Sequence, residues 1–267
     1  MPEGGSPGSE GGSPGSRRKA VGVDPLAGLD PQLLAPLLGE PVPGADDEED
    51  AIPVVEGAPP GTPVEATSRG EKLRRAGDWR EARAAFEEAL RLEPASVEAL
   101  MGLAEIHARR NDHVKAAELL SRAREAAPDH LEVAIRLGRE LGRRTAYDEA
   151  EAALLRALQI EPRSARALCE RGIVLAKRGL YPAAIAELSR GLDVDPRLAR
   201  ASYWLGVCYN QLDKLEEATE SLERALVLDP EDGRTHYHLG IVYDRRGMMD
   251  QARAMYRRSR ELAAARG

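Results

Sequence analysis

The amino-acid sequence predicts an all-α solenoid of six helix-turn-helix repeats that follows a disordered N-terminal tail. Prolines recur at a fixed interval of 34 residues, and columns of small and bulky side chains keep the same interval. The five prolines are Pro94, Pro128, Pro162, Pro196 and Pro230. Self-similarity at such a period is typical of repeat architectures, in which each unit packs only on its neighbours.

Residues 1–62 have the composition of a disordered, acidic tail. The hexapeptide Gly-Gly-Ser-Pro-Gly-Ser occurs twice, at 4–9 and 11–16. Such a segment has little apolar surface to bury, so nothing offsets the entropy lost on ordering. The tail holds 3 basic and 11 acidic side chains, whereas residues 63–267 hold 35 and 34. The bulk charge of the repeats therefore gives no support to nucleic-acid binding.

Two parts of the tail are candidates for interactions. Leucines cluster over Leu26–Leu38, where they indicate either a docking motif that orders on a partner or a solvated segment. The run Asp46–Asp50 is wholly acidic and precedes a proline-rich linker. This run is a candidate for binding to the repeats of its own chain, as a built-in competitor of a partner.

Six copies of the 34-residue unit follow the tail without a gap. Their bounds are 63–96, 97–130, 131–164, 165–198, 199–232 and 233–266. Within the fifth copy, Leu205 and Tyr209 have the spacing of one helix face, and Ala218 and Leu222 that of a second. Asp213 lies between the two helices, at the position that Gly77, Gly179 and Gly247 occupy in other copies. Each copy is therefore predicted to be a helical hairpin.

Three columns of side chains predict how the helices pack. One column is alanine throughout, one is small, and one is bulky. The alanine column is Ala82, Ala116, Ala150, Ala184, Ala218 and Ala252. The small column is Gly70, Ala104, Gly138, Gly172, Gly206 and Gly240, and the bulky column is Phe86, Leu120, Leu154, Leu188, Leu222 and Tyr256. Small residues allow close helix contact, and each bulky side chain is expected to fill the space beside a small one.

These residues resemble the tetratricopeptide repeat family. The fit is closest in the fifth and sixth copies. The matching residues are Leu205, Gly206, Tyr209, Ala218, Leu222, Ala225 and Pro230, and then Leu239, Gly240, Tyr243, Ala252 and Tyr256. The resemblance covers residues 63–266. It implies a right-handed superhelix of antiparallel helix pairs whose inner surface binds peptides, and it implies no chemistry because the family serves many functions.

Two positions depart from the family pattern. Arg69 and Arg171 stand where the family has leucine. Arg69 belongs to the first repeat, where a charge suits a surface that faces water. Arg171 is interior, so it is expected to extend its charge to solvent, to pair with Glu170 or Glu187, or to mark a softer joint between repeats.

The sequence predicts no enzyme, no metal site and no cofactor. The five histidines do not show the spacing of a metal site, and Cys169 and Cys208 have no charged neighbours that would activate a thiol. Two cysteines form no disulfide framework, which indicates a reducing compartment. No apolar run approaches the roughly 20 residues of a membrane-spanning helix, and the first residues do not resemble a secretory signal. A cytoplasmic location is therefore expected.

The family geometry places a peptide-binding groove along the first helix of each repeat. In the last three repeats its predicted residues are Arg166, Lys177, Arg200, Tyr203, Asn210, Arg234 and Tyr237. Arg166, Arg200 and Arg234 recur at the repeat period and would form a basic ladder, while the first three repeats offer Glu71, Glu98, Glu105 and Glu132. Arginine binds carboxylates through two parallel hydrogen bonds, and aromatic residues are common binding anchors. The alternative is that arginine covers every solvated face of an arginine-rich chain.

The best-known members of the family bind the C-terminal carboxylate of a chaperone through lysine, asparagine and arginine. At the corresponding positions this chain has Thr67, Glu71, Gly102 and Glu132, and only Arg136 matches. A chaperone adaptor of that type is therefore disfavoured.

The sequence thus favours a non-catalytic scaffold that binds a protein or peptide, with an acidic or C-terminal segment as the expected ligand. One alternative is a self-assembling adaptor in a multiprotein complex, for instance one of the envelope or of secretion. Such an adaptor would pair through the ends of the solenoid. Another is the regulatory subunit of an enzyme, which would use the same groove.

Overall fold

A computed structural model describes residues 61–265 of the chain. The tail with its predicted disorder, the leucine cluster and the acidic run lie outside the described residues.

The described residues form twelve α-helices and no strand. The first six are α1 (Pro63–Ala76), α2 (Trp79–Leu92), α3 (Val97–Arg109), α4 (His113–Ala126), α5 (Leu131–Arg143) and α6 (Tyr147–Ile160). The others are α7 (Ala165–Lys177), α8 (Tyr181–Val194), α9 (Ala199–Gln211), α10 (Leu215–Leu228), α11 (Gly233–Arg245) and α12 (Met249–Ala264). Helix pairs joined by two or three residues form six antiparallel hairpins. The predicted all-α solenoid is confirmed.

The hairpins stack in chain order. Each even-numbered helix packs on the first helix of its own hairpin and on the first helix of the next. Odd-numbered helices of successive hairpins also contact one another, most closely from α5 to α9, and more extensively than the even-numbered helices do. The odd-numbered helices therefore line the inner, more tightly curved side of the solenoid, which we call the inner face.

Glycines and bulky side chains meet as the columns predict. A Cβ atom on Gly206 would lie 2.4 Å from Cγ of Leu222, so only glycine allows this helix contact without a shift. Phe86 packs against two glycines, whereas Leu154, Leu188 and Leu222 of its column each pack against one. Its ring packs between Gly70 of its own hairpin and Gly102 of the next, at 2.7 and 2.4 Å from the Cβ atoms that these glycines lack.

The turn inside each hairpin has one residue in the left-handed backbone region. These residues are Gly77, Asn111, Thr145, Gly179, Asp213 and Gly247, with φ between 60° and 89°. The sequence indicates four of the six through glycine and aspartate. Thr145, with φ of 60°, is the least expected because a β-branched side chain is strained in this region.

Arg171 is held by carboxylates of two even-numbered helices. Its guanidinium pairs with Glu187 at 2.9 Å and with Glu151 at 3.0 Å. The predicted pairing with Glu187 is confirmed. Glu170 pairs instead with two other arginines. Arg69 extends from the first hairpin, with its side chain half exposed, and pairs with Glu88.

No helix within residues 61–265 is long and apolar enough to cross a membrane. That part of the chain also contains no cluster of His, Cys, Asp or Glu that could hold a metal ion.

Candidate functional site

A chain of ion pairs runs along the inner face of the first four hairpins. Its members are Glu71, Arg74, Glu105, Arg136, Glu132 and Arg166. Glu105 accepts from Arg74 at 3.0 Å on one oxygen and from Arg136 at 3.1 Å on the other, so a single carboxylate joins three hairpins. The acidic and basic halves predicted for the groove are thus bonded to each other where they meet.

Arg166 belongs to the predicted basic ladder, and it forms an ion pair with a carboxylate of the preceding repeat. Its guanidinium donates to both carboxylate oxygens of Glu132, at 2.6 and 3.0 Å. Burial opposes ionisation of Glu132, but hydrogen bonds from Arg166 and Arg136 outweigh this effect and hold the pKa of its carboxyl below the usual range. Arg166 remains half exposed, which leaves part of its guanidinium accessible from the groove.

The other two arginines of the ladder also have carboxylate partners. Arg200 donates to Glu170 at 2.5 Å, and Arg234 pairs with Asp232 at 3.3 Å. The guanidinium of Arg234 also lies over the ring of Tyr203, 5.8 Å from its centroid. The structure therefore places the ladder on the odd-numbered helices, each member with a carboxylate beside it.

Tyr203 and Tyr237 belong to a half-buried aromatic cluster in the last two hairpins. Both rings meet His238 edge-on, with centroids 5.4 and 5.8 Å away, and Tyr237 also contacts Tyr256 at 5.7 Å. Burial raises the pKa of Tyr203 to about 12 and lowers that of His238 to about 4. At neutral pH the cluster is therefore uncharged and amphipathic.

Asn210 is buried, only 8% exposed, and Arg245 donates to its side chain and to its carbonyl oxygen. Asn210 lies one residue before the position that corresponds to Lys177. The counterparts of Lys177 at the repeat period are Gln211 and Arg245. Cys169, on the same helix face as Lys177, is also buried and lines no open surface.

Sequence analysis missed a second basic column, at the last residue of the odd-numbered helices. Its members are Arg109, Arg143, Lys177 and Arg245. Their 34-residue spacing was the available signal, and positive side chains at a helix C-terminus interact favourably with the helix dipole. Arg109 lies over the ring of Trp79 at 4.0 Å, and Lys177 Nζ lies 3.4 Å from the Gly142 carbonyl oxygen.

Arg143 differs from the rest of this column. Within residues 61–265 its side chain makes no hydrogen bond, ion pair or ring contact, whereas Arg109 at least lies over Trp79. Burial, and then the positive charges of Arg200 and Arg143, lower the pKa of Lys177. Positive charge therefore exceeds negative charge at this point of the inner face.

Arg143 lines a cavity of about 460 Å³ on the inner face of the second to fourth hairpins, which we call the basic cavity. Its charged lining residues are Arg109, Arg136, Arg139, Arg143, Arg166, Glu105 and Glu140. Both glutamates already have partners, because Glu105 is shared by two arginines and Glu140 binds His113 at 2.8 Å. Arg136, Arg139 and Arg166 are held by Glu105, Glu132 and Glu170, whereas Arg109 and Arg143 make no ion pair within the described residues. The positive charge of these two arginines makes the basic cavity suited to an anion.

The two cysteines lack the properties of a nucleophile. Cys169 and Cys208 are both buried, and burial raises the pKa of each thiol to about 12. The reactive thiolate is therefore essentially unpopulated at neutral pH.

Comparison with known proteins identifies the fold. The profile of the tetratricopeptide repeat family matches residues 67–130, 135–196, 169–232 and 212–266. The chain belongs to this family, whose members are generally non-catalytic scaffolds for protein interactions. None of the curated protein sequences compared with the chain matches it significantly.

Solved structures of tetratricopeptide repeat proteins share this architecture. MamA 41-end from Desulfovibrio magneticus RS-1 is 25% identical, with 63% of this chain and 96% of that chain covered and a TM-score of 0.53. PilW, a type IV pilus biogenesis factor, is 24% identical, with 72% and 90% covered and a TM-score of 0.66. YrrB, described as having an unusual peptide-binding site, is 22% identical, with 64% and 89% covered and a TM-score of 0.52. At these identities PilW and YrrB show the fold alone.

Proposed function

We propose that this protein is a non-catalytic scaffold that binds an acidic peptide segment of a partner protein along its inner face. The basic cavity carries the proposal, because Arg143 lies there without a carboxylate partner in the described chain. A guanidinium binds a carboxylate through two parallel N–H donors, which gives both affinity and orientation.

Lys177 extends the same site toward the fifth hairpin. Its ammonium lies beside the C-terminal end of α5, where Arg143 is located, and Arg200 follows on α9. Burial is the main cause of the lowered pKa of Lys177, and repulsion by Arg200 and Arg143 adds to it; a ligand carboxylate placed between Arg143 and Lys177 would offset that repulsion. An extended peptide with successive acidic residues fits this row of charges better than a single anion does.

Tyr203 and Tyr237 supply an apolar region next to the charged one. Both tyrosines remain partly exposed, Tyr203 on α9 beneath the guanidinium of Arg234 and Tyr237 on α11. Rigid aromatic side chains lose little entropy on binding and are frequent hot spots of interfaces. The ligand that this face suits therefore combines acidic residues with an apolar or aromatic residue.

Arg166, Arg200 and Arg234 have a different role in this proposal from the one their spacing suggests. Each already binds a carboxylate, and Arg166 and Arg200 bind one from the preceding hairpin. They hold the curvature of the inner face, and they contact a ligand only through the part of the guanidinium that remains exposed. Charge reversal at Arg166 or Arg200 would place two acids together and weaken the joint between hairpins.

The test is a comparison of partner binding by three full-length chains. Arg143→Glu combined with Lys177→Glu reverses the unpaired charges, whereas Arg144→Glu reverses a neighbouring charge. Arg144 is the matched control because its counterpart Arg178 binds Glu151 on the preceding even-numbered helix, away from the inner face. The proposal is supported if wild type and the control bind a partner that the double variant does not bind, and if purified proteins give the same result. A partner set that the double variant leaves unchanged contradicts it.

Self-assembly through the solenoid ends has less support. Arg253 and Arg260 of α12 occupy the positions that Thr219 and Leu226 take in the preceding hairpin. Thr219 is buried against α11, whereas the side chain of Arg253 is 82% exposed. Stacking another copy on α12 would bury these arginines, so we expect a concentration-independent monomer mass in light scattering. The cytoplasmic location stays a prediction.

A further inference from the structure

The charge of the tail and its distance along the chain indicate an acidic segment that could bind the basic cavity. Asp46–Asp50 is a run of five consecutive acids, and it lies only a short distance along the chain before α1. The question is whether the eleven steps from Asp50 to Gly61 can span the distance to Arg143.

The span can be bounded from helix geometry. Successive hairpins pack with their helices about 8–10 Å apart, so α5, two hairpins beyond α1, is about 20 Å from α1 across the inner face. Arg143 lies at the far end of α5, about 20 Å along the helix axis from the level at which α1 begins. The diagonal is therefore about 28 Å.

The linker is long enough for this span. Eleven residues reach at most about 36–40 Å when fully extended. Pro53, Pro59 and Pro60 favour an extended backbone of about 3.1 Å per residue, which gives about 34 Å from Asp50 to Gly61. Asp46 lies four residues further and reaches Lys177 as well.

Attachment to the same chain makes even a weak contact effective. A proline-rich linker whose extended length of about 34 Å is close to the span of about 28 Å holds its end at a local concentration on the order of millimolar, so a millimolar affinity already gives substantial occupancy. The contact would be between exposed charges, with a screening length of about 8 Å at physiological salt, and it would weaken as salt is added. A partner with a higher affinity then displaces the segment.

We propose that Asp46–Asp50 docks in cis on the basic cavity, against Arg143 and Lys177, and competes there with the partner. This inference rests on the proposed function, because it assigns an occupant to the same site. It also accounts for the division of charge between a tail of net −8 and repeats of net +1.

A zero-length cross-link on the full chain tests the contact directly. A water-soluble carbodiimide joins the Lys177 amine to a carboxylate as an amide, and the carbodiimide takes up the lost water to become a urea. Peptide mapping is expected to show Asp46–Asp50 linked to Lys177, at several times the yield for Lys115 or Lys72. Arg143→Glu is expected to reduce this yield and Arg144→Glu to leave it unchanged. Linkage to Lys72 alone, the described lysine nearest the tail in sequence, would overturn the inference.

A competition measurement separates this inference from the proposed function. The probe is a fluorescein-labelled peptide of residues 44–55, followed by anisotropy. The chain in which Asp46, Asp47 and Asp50 become Asn, and Glu48 and Glu49 become Gln, is expected to bind the probe at least about twofold more tightly than wild type, because a local concentration equal to the dissociation constant leaves half of the sites occupied in cis. If the wild type and the neutralised-tail chain bind the probe with equal affinity, and Arg143→Glu abolishes binding in both, the cis contact is rejected. The proposed binding of acidic peptides would still stand. Probe binding by neither chain would reject the cis contact too, and the partner comparison above would then decide the proposed function separately.

Discussion

Glu170 and Arg200 are joined across the boundary between the fourth and fifth hairpins, with Nη1 of Arg200 2.5 Å from Oε1 of Glu170. The same oxygen accepts from Nε of Arg139 in the third hairpin at 2.6 Å. The Glu170 side chain is only 5% exposed. One buried carboxylate therefore links three successive hairpins on the inner face.

Glu170→Gln tests how much this link contributes. The substitution keeps the shape of the side chain but removes its charge, and it leaves Arg139 and Arg200 close together without an anion. Removing one partner of a buried pair is strongly destabilising, but both arginines are partly solvated here, so we expect a loss of about 1–3 kcal/mol in the free energy of unfolding. Urea denaturation measures it.

Glu216→Gln is the control for this prediction. Glu216 is 75% exposed and lies 3.6 Å from Arg246, so its loss is expected to change stability by less than about 0.5 kcal/mol. Equal effects of the two substitutions would show that the buried carboxylate contributes no more to the free energy of unfolding than the exposed one.

Gly102→Ala tests the contact between the first two hairpins. The added methyl group would lie 2.4 Å from the Phe86 ring, which is fully buried and cannot turn away as a flexible side chain would. The gain in helix propensity from Gly to Ala is about 1 kcal/mol. Overpacking of a core costs about 1–3 kcal/mol, so we expect a net loss of stability in thermal or urea unfolding.

A second substitution identifies the cause of that loss. The bulky column has leucine at four positions, so Phe86→Leu introduces a residue that the architecture accepts elsewhere. In the Gly102→Ala background this change is expected to recover stability, whereas alone it leaves a cavity and destabilises. Additive losses in the double variant would show that the two residues do not interact through the ring.

The repeat period predicted the helices because their packing is repeated in every unit. Gly206 and Leu222 meet as the small and bulky columns indicate, since both partners of the contact lie within one period. The same argument extends to neighbouring units through Glu132 and Arg166, which are 34 residues apart and form two hydrogen bonds. A pattern of this kind can be found without coordinates.

The charge balance of the inner face could not be predicted in the same way. Arg166 and Arg143 both line the basic cavity, yet only Arg166 is paired with a carboxylate, because Glu140, three residues before Arg143, binds His113 instead. Which arginine remains unpaired depends on rotamers and on distances of a few ångströms between helices, and composition contains neither. Asn210 shows a further limit, because a shift of one residue in a helix moves a side chain by about 100° and from the open face into the core.

Thr145→Gly is expected to stabilise the protein. Thr145 adopts φ of 60° in a turn where three other repeats have glycine. A non-glycine residue in this region costs about 1–2 kcal/mol in backbone strain. Glycine removes this strain, but part of the benefit is offset because glycine loses more conformational entropy on folding. The net expectation is about 0.5–1 kcal/mol of added stability, measured as a higher urea midpoint with an unchanged slope.

Gly179→Thr is the reverse experiment in the next repeat. Gly179 has φ of 79° and open space around its missing Cβ, so threonine there meets no clash and suffers only backbone strain. Stability is expected to fall by about 1–2 kcal/mol. If both substitutions moved stability in the same direction, backbone strain at this turn would not be the cause.

His238 is expected to make stability depend on pH in the mildly acidic range. Burial, and then the positive charge of Arg234, lower its pKa to about 4, whereas an unfolded chain has an unperturbed histidine near 6.5. Between these two values the unfolded chain binds a proton that the folded chain does not. Stability therefore falls as the pH drops from about 6.5 toward 4, because protonation favours the unfolded state.

His238→Phe removes this titration while it keeps an aromatic ring against Tyr203 and Tyr237. At pH 5 the wild type is expected to have lost about 1–2 kcal/mol more than the variant, relative to pH 7. Between pH 8 and 7 the two chains should run nearly parallel, since even at pH 7 only about a quarter of the unfolded chains are protonated at His238, which changes stability by only about 0.2 kcal/mol. Asp232 and Glu132 have lowered pKa values, so their losses begin only at lower pH and add to both chains alike. A difference that persisted above pH 7 would assign the effect to packing rather than to the proton.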